Sequence, residues 1–334
     1  MKSAIIKGLG FYVPDNIVTN DDLSQIIETN DSWIQERTGI KERRWIKNGD
    51  DSTTSMGVKA SKLAIEDAGI DKSEIDFIIF ATLSPDYYFP GPGVSVQKEL
   101  ELDTVGALDV RNQCSGFVYG LSVADQYIKT GMYKNILVVG SEHHSGGLDK
   151  STRGRSVTVI FGDGAGAAIV SASDNKDRGI LSTHLHSQGE HAEELTLLGP
   201  STSKWVPQIL EENDGEDISY YPYMNGNFVF KHAVTRFPQV INEALKQNNF
   251  EASDIDLLVP HQANLRISQF IQRSMKLEDN QVYNNIQNYG NTTAASIPIA
   301  LAEAKQKGKI KEGDLICLAA FGSGFTWASA LIRW

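Results

Sequence analysis

The sequence predicts an α/β protein made of two related halves. Three observations carry this expectation. Apolar runs of strand length, Ile75–Thr82 and Ile255–Val259, alternate with amphipathic helical stretches. Each run follows a helix and the same Ser-x-Ile-Asp step, Ser73-Glu74-Ile75-Asp76 and Ser253-Asp254-Ile255-Asp256. In each half a turn residue opens a helix that closes on glycine at equal distance: 17 residues separate Cys114 from Gly131, and 17 separate Asn291 from Gly308. Self-similarity on this scale suggests duplicated α/β units. The expected division is residues 1–173 and residues 174–334.

The elements follow in order. The first eight residues read as a strand, with a turn at Pro14-Asp15-Asn16. Thr19-Asn20-Asp21-Asp22 caps a helix through Leu23, Ile26 and Ile27. Asn30-Asp31-Ser32 caps a short helix carrying Trp33, Ile34 and Arg37, and Gly39 ends it. Trp33 with Arg37 one turn on is either a core aromatic beside a surface cation or a platform for a flat ring with an arginine for phosphate. Residues 52–69 form an amphipathic helix, and the apolar run Ile75–Thr82 suits a strand covered on both faces. The aromatic, Pro/Gly-rich loop Ser84–Gly93 is expected to pack against something, such as a second subunit.

The central stretch is Leu108–Phe117, read as strand, tight turn and helix start with Cys114 at the turn. Helical spacing continues through Leu121, Ala124 and Ile128, and a strand follows at Asn135–Gly140. A helix N-terminus offers unpaired N–H groups and a positive dipole end, which favour a nucleophilic thiolate. The alternative is a small buried cysteine packing the junction. The glycine-rich run Phe161–Ala168 is a poor dinucleotide loop, because a strand follows it instead of a helix. Those glycines are read as close backbone packing.

Residues 172–220 read as polar and irregular, with acidic loops at Glu190–Glu194 and Glu211–Asp217. His184, His186 and His191 lie there, but no carboxylate or cysteine set at ligand spacing accompanies them, so no metal site is expected. A helix over 228–248 leads to strand Ile255–Val259, which ends in Pro260-His261-Gln262-Ala263-Asn264. A further helix runs through Met275. Asn288–Ser296 opens an alanine-rich helix, and two strands flanking Phe321-Gly322-Ser323-Gly324 close the chain. Cys114, His261 and Asn291 are thus expected at C-terminal ends of strands, where ligands bind in such sheets.

The chain of 334 residues has a net charge of −11, which argues against general nucleic-acid binding. No apolar run approaches the ~20 residues of a membrane helix, and the N-terminus lacks signal-peptide features. Cys114 and Cys317 are the only cysteines, so no disulfide framework is implied and a reducing cytoplasm fits.

Cysteine, histidine and asparagine could form a thiol-protease-like triad. They could instead serve acyl transfer with carbon–carbon bond formation, Cys114 carrying an acyl group while His261 and Asn291 donate to an enolate. The sequence contexts favour the second. The chain resembles the 3-oxoacyl-[acyl-carrier-protein] synthase III family over nearly its whole length. The resemblance rests on Trp33…Arg37-Thr38-Gly39-Ile40, Cys114-Ser115-Gly116-Phe117, Phe161–Ala167, Pro260–Asn264, Gly290-Asn291-Thr292 and Phe321–Trp327.

That resemblance implies a thiolase-like fold with αβαβα layers and a ping-pong condensation initiating type II fatty acid synthesis. Cys114, His261 and Asn291 would be catalytic, with backbone N–H groups of Cys114 and Ser323 as the oxyanion hole. Trp33 and Arg155 would sandwich the adenine of CoA, with Arg37 near phosphate; Arg153 is the other arginine of that loop. Gly226, Phe230, Ala263 and Asn264 would line the pantetheine tunnel. Lys231, Arg266 and Arg273 would dock the acyl carrier protein, and Phe89 would cap the acyl pocket of a dimer partner. The resemblance implies acyl-CoA and malonyl-acyl carrier protein as substrates, a homodimer, and no cofactor. Two departures stand out: Ser323 where the family usually has glycine, and Gln113 where it often has alanine. Competing readings are a starter-unit or acyl–acyl condensing enzyme of a secondary pathway, and a non-catalytic carrier-docking protein.

Overall fold

Two twisted sheets organise the chain, seen in a computed structural model that describes residues 2–47, 49, 51–199, 201 and 218–334. The acidic segment Glu211–Asp217 lies outside the described residues. The first sheet contains β1 (Ser3–Tyr12), β2 (Phe77–Ala81), β3 (Gly106–Val110), β4 (Asn135–Glu142) and β5 (Gly164–Ser173), in the order β1-β5-β4-β2-β3. Strand β2 runs parallel to β3 and β4, and β5 runs antiparallel to β1 and β4. The second sheet contains β6 (Gly179–Ser187), β7 (Leu257–Pro260), β8 (Leu315–Gly322) and β9 (Thr326–Arg333), in the order β7-β8-β9-β6. Strands β7 and β8 are parallel, and β9 is antiparallel to both its neighbours.

Six helices matter for the site: α1 (Asp31–Thr38), α2 (Thr53–Ala68), α3 (Gly116–Lys129), α4 (Gly226–Gln247), α5 (Leu265–Met275) and α6 (Ser296–Gln306). Strand periodicity explains the layers. Ile79 of β2 and Ile316 and Leu318 of β8 face one shared core with α3 and α6. Their alternate neighbours Ile78 and Phe80 face α2, while Leu315, Cys317 and Ala319 face α4 and α5. Successive side chains on a strand point to opposite faces, so each sheet is covered twice. The result is the expected αβαβα stack of a thiolase-like fold, with α3 and α6 between the sheets.

Close approach of α6 needs glycine on β5. A Cβ at Gly166 would lie 2.7 Å from the backbone nitrogen of Ile299. This is the backbone packing expected of the glycine-rich run.

Two expectations are corrected. The region 172–220 is not irregular throughout, because Gly179–Ser187 is strand β6. It is an edge strand, half-buried over much of its length, so its polar residues mask the alternation. The second concerns Cys114 and Asn291, which are not equivalent positions. The two 3₁₀ turns that open α3 and α6 are Gln113–Ser115 and Thr293–Ala295, each starting on a positive-φ residue, Gln113 at 41° and Thr293 at 48°. Cys114 therefore corresponds to Ala294. The equal 17-residue spacings arise because α6 has 11 residues where α3 has 14.

Candidate active site

Cys114 sits where the chain leaves β3 and enters α3. Gln113 takes the left-handed conformation, a costly choice for a non-glycine residue. Neither Asn112 nor Ser115 caps the following turns with its side chain, so N–H groups at the helix start stay available. The backbone N–H groups of Ser323 and of Cys114 itself both act on the sulfur to lower its pKa. Burial nevertheless pushes the thiol up to about 12, and the charge of Glu142 adds to it. The two N–H groups pull toward the thiolate, but in the free protein loss of solvent outweighs them.

His261 follows β7 and is buried, its backbone N–H bonded to the Ala319 carbonyl at 2.8 Å. Burial drops its pKa to about 3, so the ring is neutral. Nδ1 lies 2.6 Å from Ser296 Oγ, and Nε2 has no hydrogen-bond partner among the described residues.

Asn291 is held by the backbone of the glycine-rich run. Its N–H donates to the Ile160 carbonyl at 2.8 Å, and its carbonyl accepts from Gly162 N–H at 3.0 Å. The side-chain Oδ1 accepts from Thr293 N–H at 2.8 Å. This turns the Nδ2 donors outward from that turn. Thr293 is anchored in turn by His144 Nε2, 2.7 Å from its Oγ1.

One cavity of about 440 Å³ is lined by Cys114, His261 and Asn291 and also by Trp33 and Arg37. Gly226, Phe230, Ala263, Asn264 and Arg266 line it as well. Asn264 caps α5 by accepting from Arg266 N–H and donates to the Arg37 carbonyl at 2.9 Å, joining both sides of the channel. The guanidinium carbons of Arg37 and Arg155 lie 4.5 and 4.7 Å from the Trp33 ring centroid. An aromatic ring can enter between Trp33 and Arg155 only after Arg155 lifts off. Arg153 turns away, with Nε on Asp149 Oδ2 at 2.7 Å and its guanidinium over Tyr221.

Lys231 and Arg273 are exposed on α4 and α5, and Arg266 at the cavity wall is exposed as well. Phe89 is 78% exposed and does not line this chain's cavity. Ser323 Oγ donates to the Leu195 carbonyl. Its extra side chain thus points into the backbone of the opposite wall and leaves its N–H for Cys114. His184 and His186 lie 3.4 and 2.6 Å from Glu243 carboxylate oxygens. Among the described residues no group of three or more potential ligands could hold a metal ion.

Sequence reasoning missed Glu142, Thr293 and Ser296. Glu142 ends β4, buried, and accepts from Thr82 Oγ1 at 3.0 Å, Ser84 Oγ at 2.5 Å and Ala294 N–H at 3.4 Å. Burial raises it to about 7 against these donors. A glutamate ending an otherwise apolar strand is the only sequence signal that marks it.

Residues 108–189 match the family model described as 3-Oxoacyl-[acyl-carrier-protein (ACP)] synthase III, and residues 245–334 match that of its C-terminal part. A Beta-ketoacyl-[acyl-carrier-protein] synthase III from Pseudoalteromonas atlantica (strain T6c / ATCC BAA-1087) is 45% identical over 334 residues, 100% of each chain. The chain belongs to the 3-oxoacyl-[acyl-carrier-protein] synthase III family. A second synthase III, from Rhodospirillum centenum (strain ATCC 51521 / SW), is 43% identical over 335 residues, 99% of each chain. The crystal structure of the synthase III from Aquifex aeolicus VF5 has a TM-score of 0.90 at 40% identity, covering 100% of both chains. Within this chain the first matched segment contains Cys114, and the second contains His261, Asn291 and Ser323.

Proposed function

We propose that this chain condenses an acyl-CoA primer with malonyl-acyl carrier protein, initiating type II fatty acid synthesis. The observation that carries the reading is the layout of one cavity. A cysteine sulfur faced by two backbone N–H groups shares it with a neutral histidine and an asparagine amide.

In the first half-reaction the Cys114 sulfur attacks the thioester carbonyl of acyl-CoA. A new C–S bond forms, the bond to CoA breaks, and the thiol proton leaves with CoA. In the second, malonyl-acyl carrier protein loses CO2, and the electron pair of the broken C–C bond becomes an enolate. His261 Nε2–H and the Asn291 amide donate to that enolate oxygen. The carbanion attacks the acyl-Cys114 carbonyl, whose oxyanion is held by the N–H groups of Cys114 and Ser323. Collapse breaks the C–S bond, and the departing thiolate takes up one proton. Oriented N–H donors of this kind are worth about 10²–10³ in rate each.

The surroundings fit these substrates. The channel from Trp33 and Arg37 to Cys114 suits a pantetheine arm reaching in from the surface, with Arg155 as the second adenine partner. Lys231, Arg266 and Arg273 offer exposed cations to an acidic carrier protein, despite the net charge of −11. Phe89, exposed here, acts across a homodimer interface. The halves 1–173 and 174–334 divide the work, the first carrying Cys114 and the second His261 and Asn291.

The test is incubation with acetyl-, branched and longer acyl-CoAs, followed by malonyl-acyl carrier protein. An acyl mass shift on Cys114, absent in Cys114→Ala, and a 3-oxoacyl-carrier product are expected. His261→Ala and Asn291→Ala should still acylate but lose malonyl decarboxylation. No product with any primer would overturn the reading.

A further inference from the structure

The His261 ring can donate from Nε2 only in one of its two neutral tautomers, and the residue that selects it lies 35 positions further along the chain. Ser296 is the first residue of α6, buried in the layer between the sheets. Its Oγ accepts the Gln262 N–H at 3.4 Å and sits 2.6 Å from His261 Nδ1. Among the described residues these are its side-chain hydrogen-bond partners. With an N–H already pointing at the oxygen, the hydroxyl hydrogen has one acceptor to reach, Nδ1. The opposite arrangement would aim two donors at one oxygen and leave the hydroxyl hydrogen without an acceptor, which is unfavourable in a buried site.

We propose that Ser296 is a positioning residue whose hydroxyl donates to Nδ1 and holds His261 as the Nε2–H tautomer. Nε2, without a partner among the described residues, then carries the hydrogen, and His261 lines the cavity that Cys114 also lines. The group on one ring nitrogen sets the protonation of the other. Two consequences follow for the reaction. The ring is poised to donate to an enolate oxygen, and it cannot accept the Cys114 proton during acylation. This inference rests on the condensing role proposed for His261.

The test has a structural and a kinetic arm. In the free wild-type enzyme, ¹⁵N-labelled histidine spectra should show His261 with Nε2 protonated and Nδ1 as the acceptor. A spectrum with Nδ1 protonated overturns the proposal. In the kinetic arm, Ser296→Ala should lower kcat for malonyl decarboxylation by about 10²-fold, the size of one lost oxyanion donor. Acylation of Cys114 by acyl-CoA and KM for malonyl-acyl carrier protein should stay at wild-type values, and Ser296→Thr should restore most of the rate. Wild-type decarboxylation by a folded Ser296→Ala enzyme also overturns it. If Ser296→Ala does not fold, the wild-type spectrum decides. Wild-type decarboxylation by His261→Ala would instead remove the condensing role of His261 and leave the tautomer assignment standing.

Discussion

Gly322 lies directly against Cys114: a Cβ at position 322 would be 2.5 Å from the Cys114 Cβ and 2.7 Å from its sulfur. The turn that supplies the Ser323 N–H thus reaches the sulfur only because its preceding residue has no side chain. Strand β8 of the second sheet and the Cys114 turn that follows the first sheet are fitted to each other.

Gly322→Ala should therefore displace the nucleophile. Overpacking of this kind costs about 1–3 kcal/mol in stability. A misplacement near 1 Å costs roughly 10²-fold in rate. The measurements are thermal unfolding and the rate of Cys114 acylation by intact mass. Acylation at the wild-type rate would show that the turn tolerates the methyl group.

The thiol raised to about 12 sets a pH dependence. The thiolate is the reactive form, and its fraction grows with pH while pH stays below the pKa. Alkylation of Cys114 by iodoacetamide should accordingly rise roughly tenfold per pH unit between about pH 6 and about pH 9. Peptide mapping separates Cys114 from Cys317. A plateau near neutral pH would mean that the helix start wins over burial after all.

His144 and His261 are both buried and both held down to about 3. A histidine with a depressed folded-state pKa contributes stability above its unfolded value of about 6.5, and that contribution is lost as pH falls toward the folded value. Each should cost about 2 kcal/mol between pH 6.5 and pH 5. Denaturant unfolding at the two pH values measures this. His144→Gln should lose its share of the slope, and an unchanged slope would contradict burial as the cause.

Arg155 and Arg153 differ in what they touch, so their substitutions should separate. Arg155→Ala and Trp33→Ala should each raise KM for acyl-CoA about tenfold, in line with ~1–3 kcal/mol for a base stacked on a side chain. Arg153→Ala should leave KM unchanged, because its guanidinium lies on Asp149 and Tyr221. Initial rates with varied acyl-CoA at saturating malonyl-acyl carrier protein decide it. An equal effect at both arginines would place the nucleotide elsewhere on the loop.

Much of this architecture was legible before any coordinates. Apolar periods of 2 and 3.6 expose buried strands and helices, so β2, β7 and the helices α2 to α5 could be read directly. Strand β6 escaped because an edge strand leaves much of its length half-buried, and its histidines and serines look like loop. The pairing of Cys114 with Asn291 failed because spacing to a terminal glycine counts helix length as well as position, and α6 is shorter than α3.

The sequence by itself determined the alternation of strands and helices, three chemically capable residues, of which Asn291 follows the short helix Ile286–Tyr289 and not a strand end as expected, and a family whose motifs span the chain. Those properties are local, written in periodicity and in short motifs. Only the tertiary structure decided the electrostatic state of Cys114, the choice of Arg155 over Arg153 beside Trp33, and the partner of His261. Each depends on groups far apart in sequence: Ser323 and Glu142 against Cys114, Trp33 against Arg155, Ser296 against His261. Solvent exclusion and hydrogen-bond geometry arise from packing across both sheets, and no residue pattern encodes them before the chain folds.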